Sequence, residues 1–117
     1  MEFYKGRCHC GAVSFETSVQ KIEKGIRCNC SICEKKGAVM TPFTIAPDDL
    51  KYSAEGNSLS TYQFGTNVAK HHFCNRCGIY TFHETMRVPG HYRVNVGCID
   101  GIESLELPVE VFNGAAI

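Results

Sequence analysis

The eight cysteines of this chain carry most of its chemical information, because seven of them fall into three tight groups. These are Cys8-His9-Cys10-Gly11, Cys28-Asn29-Cys30-Ser31-Ile32-Cys33 and Cys74-Asn75-Arg76-Cys77-Gly78, with Cys98 standing alone. In extended backbone, residues two apart face the same side, so Cys8 and Cys10 can present both sulfurs to one ion while His9 turns away. A tight Cys-x-x-Cys turn does the same for Cys74 and Cys77. Gly11 and Gly78 follow their pairs at once and let the chain turn with its amides facing the sulfurs. Zinc takes four ligands in a tetrahedron at roughly 2.3 Å from sulfur; structural sites close all four positions and catalytic ones leave one open. Geometry alone leaves open which groups share an ion, but the two pairs together complete a four-thiolate set and the trio makes an incomplete one. The expectation is therefore two zinc ions. Cys8, Cys10, Cys74 and Cys77 form a closed site that staples distant parts of a small fold, and Cys28, Cys30 and Cys33 form an open one. Cys98 is expected to be a buried, metal-free thiol at the end of a strand.

Three thiolates leave a zinc unit with about one net negative charge, which makes the metal a poorer acidifier of water than three imidazoles would. A soft, sulfur-rich site is better suited to accept another thiol and hold it as a nucleophilic thiolate at neutral pH. The substrate expected on these grounds is a small thiol. Arg27, Lys35 and Lys36 flank the trio and either are solvated, the expected state of any one of them, or attract the carboxylates of a thiol such as glutathione; Glu34 is likewise either solvated or a proton relay. His71 and His72 on a strand would face opposite ways, and packing is the expected role of both. His83-Glu84 lacks the His-x-Glu and Pro-Cys-x-x-Cys of a zinc deaminase, since Phe73 stands where the proline would be. A disulfide framework is disfavoured because no export signal is evident, and a redox Cys-x-x-Cys because the βαβ context is missing.

The elements that must position these groups read as mainly β. Period-two alternation marks Val13 and Phe15, then residues 59–64, then Tyr80 and Phe82, then Tyr92, Val94 and Val96. Pro89-Gly90 makes residues 79–84 and 92–98 the arms of a hairpin with a longer loop. The helix predicted after Ser31 as N-cap and ending at Gly37 is only a turn or two, and a second short turn is predicted at residues 46–50. With 117 residues, 44% hydrophobic content and no long Pro/Gly/Ser-rich break, a single domain over residues 1–117 is expected. Formal charge is zero; residues 1–37 hold seven Lys/Arg against four Asp/Glu, too weak an excess for a nucleic-acid binder. No segment approaches the roughly 20 apolar residues of a membrane span, and the start has no signal-peptide pattern, so a cytoplasmic location is expected.

The succession CHCG, CNCSICEKKG and FCNRCG, followed by a strand, Pro-Gly and Val-Asn-Val-Gly-Cys-Ile-Asp, resembles the GFA/CENP-V family over nearly the whole chain. The resemblance implies a mainly β zinc fold of the β-tent kind. It also implies a carbon-sulfur lyase joining formaldehyde to glutathione as S-hydroxymethylglutathione. On that basis Cys8, Cys10, Cys74 and Cys77 match structural zinc ligands, and Cys28, Cys30 and Cys33 match catalytic ones. Val111-Phe112-Asn113-Gly114 resembles a common ending of the family, but the aromatic residue, usually Trp, that follows it there is missing. A non-catalytic, zinc-stabilised binding module of the same fold is the alternative expectation.

Overall fold

The computed structural model describes residues 1–116 and is mainly β. Strands β1 (Glu2–Arg7), β2 (Val13–Val19) and β4 (Leu50–Ala54) form an antiparallel sheet in the order β1-β2-β4. Strands β5 (Leu59–Tyr62), β6 (Lys70–Cys74), β7 (Tyr80–Glu84) and β8 (Tyr92–Val94) form a second antiparallel sheet in chain order. Strand β3 (Gly25–Cys28) pairs in parallel with β9 (Val109–Phe112), setting Cys28 opposite Phe112. One short helix, α1 (Ser31–Lys36), follows β3.

In β2 the alternation is realised directly: Val13, Phe15, Thr17 and Val19 are buried, and Ser14, Glu16 and Ser18 are not. Phe82, fully buried on β7, is the hub of the core. It meets Phe15 edge-on at 6.5 Å and stacks at a tilt on Tyr52 at 4.9 Å and His72 at 4.7 Å. These aromatic contacts join the two larger sheets. Met40, 3% exposed, bridges β3 to the rest by exchanging both backbone hydrogen bonds with Ile26 at 2.9 Å.

Several boundaries differ from the sequence expectation. The N-cap of α1 is Cys30, not Ser31: its extended backbone (φ −65°, ψ 159°) precedes the helix and its carbonyl accepts the Glu34 N–H at 2.9 Å. Gly37 ends the helix with φ 69°, as the left-handed cap requires. The β7–β8 hairpin forms, but its second arm stops at Val94, because the Asn95 side chain accepts the Gly97 N–H at 3.0 Å and folds residues 96–98 into a 3-10 turn. Cys98 is therefore buried in that turn and not at a strand end. Strand β5 likewise ends at Tyr62, before Gln63, whose side chain donates to the Asn67 carbonyl at 2.9 Å across a turn. The short turn expected near Pro47 is present as Pro47–Asp49.

Candidate metal centres and active site

Cys8 and Cys10 lie in the loop joining β1 to β2, and Cys74 and Cys77 lie where β6 turns toward β7. The four sulfurs converge within 4.8 Å of one another. Cys10 Sγ is 3.7 Å from both Cys8 Sγ and Cys74 Sγ, close to the edge of about 3.8 Å that a tetrahedron with ~2.3 Å zinc–sulfur bonds requires. Gly11 has φ 83° and Gly78 has φ 79°. That left-handed conformation costs side-chain-bearing residues energy, and glycine adopts it freely. The resulting turns point N–H groups at sulfur: Val13 N–H at Cys8 Sγ, 3.3 Å, and Arg76 N–H at Cys74 Sγ, 3.4 Å. Such contacts disperse thiolate charge, so this donor set fits zinc.

The second group forms at the β3–α1 junction. Cys28 ends the strand, Cys30 caps the helix and Cys33 sits on its first turn, with the three sulfurs within 4.8 Å of one another. For Cys33, burial pushes the thiol up to about 12. For Cys30, burial acts the same way but is outweighed by the Cys33 N–H, the neighbouring sulfurs and the Lys36 charge, so its thiol titrates below the ordinary value. Three adjacent thiolates cannot persist without a cation, and a soft divalent ion suits the sulfur set.

Beside the trio lies a cavity of about 480 Å³, into which Cys28, Cys30, Cys33, Lys36, His71, His83, Arg87 and Arg93 all project. None of the four cysteines of the first group lines it. No acidic side chain among the described residues lines it either, and among those residues neither Arg87 nor Arg93 makes an ion pair. Arg93 donates to the Thr41 carbonyl at 2.6 Å, and Arg87 lies over the Phe112 ring at 4.3 Å. Burial and the charge of Arg87 depress the Arg93 guanidinium, while Cys28 and Cys33 oppose the change. A half-buried cation of this kind calls for a counter-charge, so this end of the cavity is organised for an anion.

One wall is a polar cluster that the sequence did not reveal. Lys36 Nζ donates to Tyr80 Oη at 3.0 Å and to His83 Nδ1 at 3.2 Å, and sits 4.2 Å from the centre of the Tyr80 ring. Tyr80 Oη is also 2.7 Å from both His83 Nδ1 and His71 Nδ1. Tyr80 has one proton for two ring nitrogens at the same distance, so the tautomers of His71 and His83 decide which of them receives it. Both imidazoles are neutral. Burial, with the Lys36 charge next, pushes His71 down to about 4 and His83 well below its usual range. Burial and the nearby Cys33 and Cys30 charges raise the Tyr80 phenol. Burial also lowers Lys36, against the opposing charges of Cys33, Cys30 and Cys28.

Of the three cations that flank the trio in sequence, only Lys36 lines the cavity; Arg27, Lys35 and Glu34 are exposed outside it, as solvated side chains. His71 and His72 do face opposite ways. His72 packs on Phe82 and meets Glu84 at 3.3 Å, as expected of a packing residue, whereas His71 reaches the cavity wall. Tyr80, His83, Arg87 and Arg93 do not stand out in the sequence as site residues. The available signal was the pairing of β6 with β7, which sets His71 opposite His83 and Phe73 opposite Tyr80.

The family described as glutathione-dependent formaldehyde-activating enzyme matches residues 3–115. A crystal structure of a Rhodobacter sphaeroides protein superposes with a TM-score of 0.79 at 40% sequence identity, covering 91% of this chain and 99% of that one.

Proposed function

The chain belongs to the glutathione-dependent formaldehyde-activating enzyme family, and from that premise we propose that it joins a small thiol such as glutathione to an aldehyde such as formaldehyde. The product would be a hydroxymethyl thioether of the S-hydroxymethylglutathione type, in the manner of a carbon-sulfur lyase. In this reading Cys8, Cys10, Cys74 and Cys77 hold a structural zinc, and Cys28, Cys30 and Cys33 hold a catalytic one. The observation that carries it is the asymmetry of the two sulfur groups: the trio opens on a cavity with cations and no acid among the described residues, and the complete quartet does not.

When bound at the trio, zinc would supply a fourth position at which a thiol is stabilised as its thiolate at neutral pH. The chain's own residues account for the rest. Arg87 and Arg93 attract the carboxylates of the thiol substrate. As substrate sulfur bonds to the aldehyde carbon, the carbonyl π pair moves to oxygen, and Lys36 is the donor that lines the cavity next to the sulfurs. Tyr80 and His83 fix the Lys36 ammonium, while the two neutral imidazoles add no competing charge. The proton delivered by Lys36 is replaced by the one the thiol has released.

The test is to load the protein with zinc, measure glutathione binding by calorimetry, then add formaldehyde and follow thiol–hydroxymethyl exchange by NMR. Two zinc ions per chain, binding that disappears in Cys30→Ala, and exchange accelerated by the wild type support the reading. One tightly held zinc with Cys28, Cys30 and Cys33 free to a thiol reagent removes its basis and leaves the non-catalytic module.

A further inference from the structure

The cavity beside the trio, about 480 Å³, must hold the thiol together with the aldehyde, and its lining is more apolar than formaldehyde and glutathione require. Glutathione is polar along its length. Its carboxylates have Arg87 and Arg93; the rest of the wall includes Ile26, Ile32, Met40, Phe64, Met86 and Phe112.

Two of these residues leave apolar surface in the open. Phe64 is 46% exposed and Met86 is 58% exposed. Phe64 is nonetheless held in place, stacked between Tyr62 at 5.6 Å and His71 at 6.0 Å. Met40, 3% exposed, also lines the cavity, and its backbone exchange with Ile26 anchors it. Fixed apolar side chains around a charged reaction centre are the usual lining of a small-molecule site, with the polar groups setting orientation and the apolar ones giving affinity.

Resting on the function proposed above, we infer that the aldehyde handled here carries an apolar alkyl or aryl substituent, seated against Met40, Phe64 and Met86, in preference to formaldehyde. The step balances without an oxidant. Sulfur and the carbonyl carbon form a bond, the π pair moves to oxygen, and the proton leaving the thiol ends on that oxygen as a hemithioacetal.

The chain has three methionines, Met1, Met40 and Met86, so methyl-labelled methionine gives a readout independent of turnover. In zinc-loaded protein, S-hexylglutathione should shift the Met40 and Met86 methyl signals and leave Met1 in place. It should bind at least about tenfold tighter than S-methylglutathione, given roughly fourfold for each buried methylene. With glutathione as the thiol, kcat/KM for hexanal should exceed that for formaldehyde by at least about tenfold. Met86→Ser should reduce the hexanal-to-formaldehyde ratio at least about threefold. Equal binding of the two thioethers, or a preference for formaldehyde, overturns this inference while the proposed function stands. If no aldehyde exchange is accelerated at all, the proposed function falls and the inference falls with it.

Discussion

Gly114→Ala tests how the C-terminal strand supports the trio. A Cβ at Gly114 would lie 2.3 Å from Cys28 Sγ, with Arg87 Nη2 at 3.4 Å and Phe112 Cδ2 at 3.6 Å. An ordinary contact needs roughly 1 Å more than the first of these distances, so either Cys28 or the tail must move. The tail is not free to swing. Asn29 N–H donates to the Phe112 carbonyl at 3.1 Å, Asn29 Nδ2 to Asn113 Oδ1 at 2.9 Å, and Ala115 N–H to Asn29 Oδ1 at 3.0 Å.

If the tail holds, Cys28 is pushed out of place at an overpacking cost of ~1–3 kcal/mol. If the tail lets go, three exposed hydrogen bonds worth about 0.5–1.5 kcal/mol each in a favourable setting are lost, together with ~0.5–1 kcal/mol from Arg87 over Phe112. Letting go costs about 2–5.5 kcal/mol against ~1–3 kcal/mol for displacing Cys28, so displacement is the cheaper route, and each disturbs the trio or its wall. Metal–ligand distances tolerate only about 0.2 Å, so zinc at Cys28, Cys30 and Cys33 should be held roughly 10–100-fold more weakly. The quartet, which does not touch the tail, should keep its ion. Competition with a chromogenic chelator should then release one zinc per chain early and the other at the wild-type chelator concentration. Release of both ions as in the wild type, with unchanged aldehyde exchange, would refute the reasoning.

The remaining expectations concern the two sulfur groups and the polar wall. Cys77→Ala should unfold much of the protein, because metal binding at the quartet is coupled to folding, whereas Cys30→Ala should abolish activity with modest loss of stability; equal melting of the two variants by calorimetry would contradict that division. Tyr80→Phe removes the hydroxyl that joins Lys36, His71 and His83, so kcat should fall roughly 10–100-fold with KM and zinc content little changed, and an unaltered kcat would exclude Tyr80 as a positioning residue. His71 is pushed from 6.5 to about 4 in the fold, so the unfolded chain takes up that proton first as the pH drops. Its stabilisation is complete above about pH 6.5 and fades toward about pH 4, amounting to on the order of 2 kcal/mol lost by pH 5. Urea midpoints at pH 7.5 and 5.0 should therefore differ more in the wild type than in His71→Gln, and equal differences would rule this contribution out.

What could be read in the sequence was local. Cysteine spacing within each group, the glycines after Cys10 and Cys77, and the alternation of β2 and of the β7–β8 hairpin all lie within a few residues. Strand β1 was not foreseen, because Glu2–Arg7 carries a mixed pattern whose one buried position, Gly6, has no side chain to mark it. The parallel pairing of β3 with β9 joins segments from opposite ends of the chain, and a short exposed strand such as Val109–Phe112 gives no periodic signal. The polar wall was hidden for a related reason. His71 and His83 meet only when β6 and β7 are in register, and that register shifts between His72 and Phe73. Regular alternation would place Tyr80 and His83, three residues apart, on opposite faces of a strand. In the fold their Oη and Nδ1 atoms lie 2.7 Å apart.

The two sulfur groups use the same ligand atom, so their difference must come from where the chain carries them. The quartet ties the loop between β1 and β2 to the β6–β7 turn, with Cys10 and Cys74 separated by 64 residues, and so fastens one large sheet to the other. Cys8 and Cys74 are sunk in the core, where loss of the ion would leave crowded thiols among packed side chains. The trio sits instead at the end of the smallest sheet, a two-stranded parallel pair, and its helix buries no residue fully. Little of the core depends on it, and its surroundings are a cavity, a cationic wall and a tail seated by asparagine hydrogen bonds. An ion there can exchange ligands without threatening the sheets. On the function proposed above, such tolerance is what the trio needs to bind a thiol, complete a carbon–sulfur bond and release the product, and what the quartet as a structural site must avoid.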